Sequence, residues 1–197
     1  MPALTTTTTA PAPTTITSTT TTRPSVVEVR YRIENRSADP DLADFAATVE
    51  QVLSDPRGWS RARFRLVRDD RSAPFAVVLA EPGEAHELCL PYDVYRAYSC
   101  QNGPIVVLNA DRWRHATPQW TGNLATYRVM LVNHEVGHLL GQKHPDVQCP
   151  TRGQPAAIMA QQSTELDGCL PNPWPLDHEV ERAARHDLPL APPYERD

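Results

Sequence analysis

The sequence predicts one α+β domain. Three features predict it: a period-2 apolar run from Ser25, apolar residues at helical spacing after Asp41, and short β-branched runs ahead of a second, longer helix. With 197 residues, 40% of them hydrophobic, the chain has material for one core. Val27, Val29, Tyr31 and Ile33 alternate with polar residues and so share one face of a half-buried strand. Leu42, Phe45, Ala46, Val49, Val52 and Leu53 follow at helical spacing, and Pro56 with Gly58 ends that amphipathic helix. Phe64 with Leu66, and Phe75 to Leu79, give two further strands connected through residues 69 to 74. Residues 81 to 103 are expected to form a long irregular excursion, with Ile105 to Leu108 a fourth strand after the Gly103-Pro104 turn. From about Gly122 to Leu140 a second helix offers Leu124, Tyr127, Met130, Leu131 and Leu139 to the core. After it, residues 177 to 185 are a candidate short helix. The expected organisation is a segment at 1–24, a folded domain at 25–175 and a C-terminal tail at 176–197.

The first 24 residues are mostly Thr, Pro and Ala and cannot bury enough surface to offset their ordering entropy. A disordered, extended stalk is expected there, either a glycosylation target outside a cell or a plain spacer. No run approaches the roughly 18 to 20 apolar residues that span a membrane, and no basic segment leads into an apolar one as in a secretion signal. A net charge of −5 supplies no basic surface for phosphates, which argues against nucleic acid and anionic membranes as partners. Cys89, Cys100, Cys149 and Cys169 contain no CxxC pair, so a four-thiolate zinc site is not indicated. The preferred reading is two disulfides, Cys89-Cys100 and Cys149-Cys169, each closing a short loop in an oxidising compartment. Four reduced, buried thiols in a cytoplasmic protein are the alternative.

The chemistry is concentrated in the second helix, which reads His134-Glu135-Val136-Gly137-His138-Leu139-Leu140-Gly141-Gln142-Lys143-His144. Residues four apart share a helix face, so His134 and His138 can converge on one ion. Gly141 tolerates positive φ, which lets the chain leave the helix sharply and return His144 as a third nitrogen ligand. Three imidazoles with an open fourth position suit one Zn²⁺ per chain, and Glu135 is placed to act as general base on a metal-bound water. Five fixed positions match by chance with a probability on the order of 10⁻⁵. His86, His115, His178 and His186 have no partners at ligand spacing and are expected to be surface or loop residues.

The pattern HExxHxxGxxH followed by Ala157-Ile158-Met159-Ala160 resembles the metzincin zinc peptidases, with Met159 in the place of their Met-turn. That resemblance implies a zinc-dependent endopeptidase acting on a peptide or protein substrate. It also implies a metzincin-like (zincin) fold: a twisted mixed sheet with an antiparallel edge strand, a backing helix and a zinc-binding helix. Ile105 to Leu108 is then the candidate edge strand, which would pair with an extended substrate. Tyr127 to Gly141, Cys149 to Gln162 and Gly168 to Pro175 are more narrowly similar to a poorly characterised actinobacterial family of extracytoplasmic domains. Its members follow a membrane anchor and a low-complexity stalk, so secretion or tethering to the cell surface is expected, with an upstream anchor missing from the chain as given. A monomer is expected.

Gln161 stands two after Met159, where some metzincins place an oxyanion-stabilising Tyr, so that role is unassigned. Two other functions share these residues: a zinc-containing binding module of the cell envelope without hydrolysis, and a zinc hydrolase of a non-peptide amide. Glu135 weighs against the first, because a purely structural zinc site has no use for a base.

Overall fold

The computed structural model describes residues 25–187 and 189–190, so the expected stalk and the end of the expected tail lie outside the described residues. Val27–Asn35 forms β1, in which Val29 and Tyr31 are buried and Val27 and Ile33 half-buried, as their alternation requires. A 3₁₀ turn at Pro40–Leu42 precedes α1, Phe45–Ser54, whose Phe45, Val49, Val52 and Leu53 face the core. β2 (Phe64–Arg68) and β3 (Phe75–Ala80) follow. All six residues of β3 are buried. Phe75, Val77 and Leu79 enter the main core, while Ala76, Val78 and Ala80 enter a smaller core on the opposite face of the sheet. A continuous apolar run is what a strand covered on both faces needs.

The excursion expected at 81–103 is in fact largely structured. Pro82–Cys89 is a helix, α2, and Cys100–Asn102 is a strand, β4, which turns at Gly103 (φ 54°) into β5, Ile105–Asn109. The opening Pro-Gly of α2 resembles a turn in sequence, although Pro at a helix start removes only an N–H that has no partner there. The short β4 carries no alternating apolar pattern to reveal it. Next come α3, Ala110–His115, capped by the Asn109 side chain, and α4, Leu124–Leu139. The last helix, α5, covers Asp177–Ala183. Val180 and Ala183 belong to the main core, so the segment expected as a tail begins as part of the packed body.

The sheet is mixed, with five strands in the order β2-β1-β3-β5-β4. The first four are parallel, and β4 runs antiparallel to β5. The antiparallel edge strand is therefore Cys100–Asn102. Ile105–Asn109 is interior, paired with β3 on one side and β4 on the other, which corrects the expectation that it forms the edge. The turn at Gly103 folds the preceding residues back along the outer side of β5 and uses up its free edge. Helices α1 and α4 pack with one face of the sheet and α2 with the other.

Cys89 is joined to Cys100 and Cys149 to Cys169. The first bond ties the end of α2 to the start of the edge strand, while the second closes a loop beyond α4. No helix among the described residues is long and apolar enough to cross a membrane. Replacing Cys89 and Cys100 together by Ser is expected to lower unfolding free energy by about 2–4 kcal/mol, measured by urea titration of the oxidised protein.

Candidate metal centre

Helix α4 starts at Asn123, whose Oδ1 accepts the Thr126 N–H at 2.8 Å, and runs without interruption to Leu139. It ends in a Schellman turn: the Gln142 N–H donates to Gly137 O and the Gly141 N–H to His138 O, both at 2.9 Å. Gly141 has φ 82°, a conformation that few residues other than glycine adopt readily. The chain then doubles back, and His144 meets the two helix histidines. His144 Nε2 lies 3.0 Å from His138 Nε2 and 3.2 Å from His134 Nε2.

Which nitrogen donates in these contacts depends on the ring tautomers. His134 Nδ1 donates to Ile158 O at 2.8 Å and His138 Nδ1 to Gln142 O at 2.9 Å. A carbonyl only accepts, so each Nδ1 carries the proton and, in the neutral ring, each Nε2 presents a bare lone pair. Two such lone pairs converging on the third imidazole are met either by an Nε2–H of His144 or by a shared cation. Tetrahedral zinc with N–Zn distances near 2.0–2.1 Å sets ligand nitrogens roughly 3.3 Å apart, close to the separations here. The three residues could hold a metal ion, and the donor set fits one that favours imidazole. Burial supports this: it lowers the pKa of His134 to about 3 and that of His138 to about 4, and moves His144 down as well. All three rings are thereby kept in the neutral, ligating form.

Glu135 is 6% exposed, and burial alone raises its carboxyl to about 8. No ion pair among the described residues involves it. A cation held by the adjacent histidines would favour its ionised form. Glu135 lines a cavity of ≈ 520 Å³ together with His134, His138 and His144. Ser99, Cys100 and Gln101, at and before the edge strand, line the same cavity.

Met159 is fully buried against the helix that carries the histidines. A Cβ at Gly137 would come within 2.4 Å of Met159 Sδ and 2.8 Å of Trp59 Cζ2, so only glycine lets this floor approach the helix. Trp59 is anchored in turn, its Nε1 donating to Asn133 O at 2.9 Å. Two residues of α5 that the sequence did not single out hold the site from behind. Both carboxylate oxygens of the fully buried Glu179 accept backbone N–H groups, from Ile158 at 2.8 Å and Met159 at 3.0 Å. Arg182 Nε donates to Gln142 Oε1 at 3.1 Å. Ile158 and Gln142 are the residues whose carbonyls orient His134 and His138, so α5 steadies both. One local signal was available: Glu179 is the third residue of α5 and reaches back to the Leu176 N–H at 3.0 Å, as a helix-start glutamate does.

The remaining histidines stay away from the centre. His186 Nε2 meets Ala62 O at 2.8 Å, His86 faces Asp93, and His115 and His178 are exposed.

The chain belongs to a family described as a protein of unknown function (DUF3152), which it matches over residues 5–179. Among solved structures it is similar to archaemetzincin from Methanopyrus kandleri, at 14% identity and a TM-score of 0.47, over 81% of this chain and 95% of that one. No curated protein matches the chain.

Gly137→Ala is expected to destabilise the fold by about 1–3 kcal/mol through overpacking against Met159 and Trp59, read as a lowered urea midpoint. Glu179→Ala leaves buried N–H groups without their acceptor. It is expected to cost about 3 kcal/mol or more and to weaken metal binding about 10- to 100-fold, whereas Glu179→Gln should lose less of both.

Proposed function

We propose that this protein is a zinc-dependent endopeptidase. The observation that carries the reading is the convergence of three imidazoles, two of them oriented by backbone carbonyls, beside a buried carboxyl group in an open cleft. The sequence pattern from His134 to His144, with Met159 beneath it, supports the same conclusion through its resemblance to the metzincins.

His134, His138 and His144 would hold the ion, and the Ile158 and Gln142 carbonyls keep the first two rings from rotating. When bound, zinc supplies a positive charge that acidifies water and polarises a carbonyl oxygen. Glu135 takes a proton from the attacking water, holds it on its carboxyl and delivers it to the departing amine nitrogen. Burial raises its affinity for a proton, which suits the acceptance step, and a cation held by the histidines would favour the ionised form that accepts it. An extended peptide would lie along β4, whose outer edge is unpaired within the sheet, and present its scissile carbonyl to the cleft.

The disulfides fit an extracellular protein, and we place the enzyme outside the cytoplasm, acting on peptide or protein substrates as a monomer.

Metal content of the purified, oxidised protein should be one zinc per chain by elemental analysis. Glu135→Gln should keep that zinc and lose cleavage of a mixed peptide library by about 10²-fold or more, and His138→Ala should lose the metal. Bound zinc with no cleavage of any peptide by the unmodified protein would favour a non-catalytic binding module or a different amide substrate. Absence of zinc would refute the proposal at its base.

A further inference from the structure

Arg112, on α3, lines the same cavity as the three histidines and Glu135. Its Nε is buried and makes no hydrogen bond, and no carboxylate among the described residues pairs with its guanidinium. Neighbouring arginines are treated differently by the fold. Arg114, two residues on, is gripped by Asp39 and Glu81 at 2.7 Å each and by Asp111 at 3.2 Å. Arg128 meets Asp44 at 3.4 Å and donates to Trp113 O at 2.8 Å. The buried Nε–H of Arg112 has no acceptor and no carboxylate holds its guanidinium, so the positive charge that Arg112 brings to the cavity lining has no counter-ion among the described residues.

The surroundings narrow what would supply one. Arg112 is the one lysine or arginine among the described residues lining the cavity. The Tyr127 hydroxyl, which meets Ser163 Oγ at 2.9 Å, is close enough to feel its charge, and Ser163 with Met130, Leu131 and Tyr98 completes that wall. The acids lining the cavity do not neutralise it. Asp93 is exposed, accepts the Tyr95 N–H at 2.8 Å and faces His86, and Glu135 forms no ion pair. A planar guanidinium in a largely apolar pocket matches a carboxylate, which it can receive through two parallel hydrogen bonds.

We propose that Arg112 binds a carboxylate of the substrate within the cleft, so that the enzyme selects peptides carrying an acidic side chain or a free C-terminal carboxylate near the bond that is cut. This rests on the peptidase reading above and adds the substrate class to it.

The test uses the full oxidised, zinc-loaded chain and four matched peptides, with Glu or Gln near the cleaved bond and a C-terminal carboxylate or carboxamide. In parallel, fluorescein-labelled copies are titrated by fluorescence anisotropy against the full chain carrying Glu135→Gln, which reads binding without turnover. Carboxylate peptides should exceed their amide counterparts about ten- to a hundredfold in kcat/KM and in affinity. Loss on Glu→Gln identifies a side chain as the source, and loss on C-terminal amidation identifies the terminus. Arg112→Gln should bring the preference close to one, Arg112→Lys should retain part of it, and Arg112→Glu should turn it toward Lys-containing peptides. Equal handling of carboxylate and amide by the unmodified chain, or a preference that survives Arg112→Gln, would overturn the assignment. Should no peptide be cleaved at all, the peptidase reading fails, and the anisotropy ratios still decide whether Arg112 binds a carboxylate.

Discussion

Two hydrogen bonds, His134 Nδ1 to Ile158 O and His138 Nδ1 to Gln142 O, are the constraint on which the rest of the site depends. Each fixes a tautomer and a ring plane together, and so points an Nε2 lone pair at the common centre. Helical spacing brings the two rings near each other, but it does not choose which nitrogen faces inward. That choice comes from carbonyls in two separate turns, and those turns are secured by one helix. Glu179 holds the Ile158-Met159 backbone, and Arg182 holds the Gln142 side chain. The short α5 thus reaches the histidine cluster through a backbone carbonyl on each side.

The same packing that orients the histidines also removes them from water. Met159 and Trp59 close against α4 at Gly137, and the histidines and Glu135 take their shifted acidities mainly from that burial. Surface charges are handled differently. Arg30, Arg36, Arg57 and Arg68 all sit in partly exposed ion pairs, which settle side chains at little net gain in stability. Against that background, Arg112 and Glu135 stand out as cavity-lining groups that form no ion pair among the described residues.

The cleft owes its other wall to the sheet edge. The turn at Gly103 places Cys100–Asn102 outside β5, and the Cys89–Cys100 bond pins the strand to α2. A three-residue strand would fray readily on its own. Tied at one end and backed by an interior strand, it offers a short, fixed row of backbone donors and acceptors beside the three histidines.

Much of this was legible in the sequence because it is local. The i, i+4 histidines, the glycine that ends their helix, the period-2 run of β1 and the continuous apolar run of β3 each depend on neighbours within a turn or two, where backbone geometry leaves few choices. Met159 and the two cysteine pairings could be anticipated from resemblance and from short loop closure. The tertiary structure decided what depends on residues distant in the chain. Sheet order made β4 the edge in place of Ile105–Leu108, because strand pairing is a long-range event that a strand's own residues do not announce. Helices α2 and α3 are too short for periodicity to stand out, and the Pro-Gly opening of α2 resembles a turn. Glu179, Arg182 and Arg112 look like any surface charges in a linear reading. Their roles follow from what lies opposite them in space: two backbone amides, a glutamine oxygen and an open cavity, all of which exist only once the chain has folded.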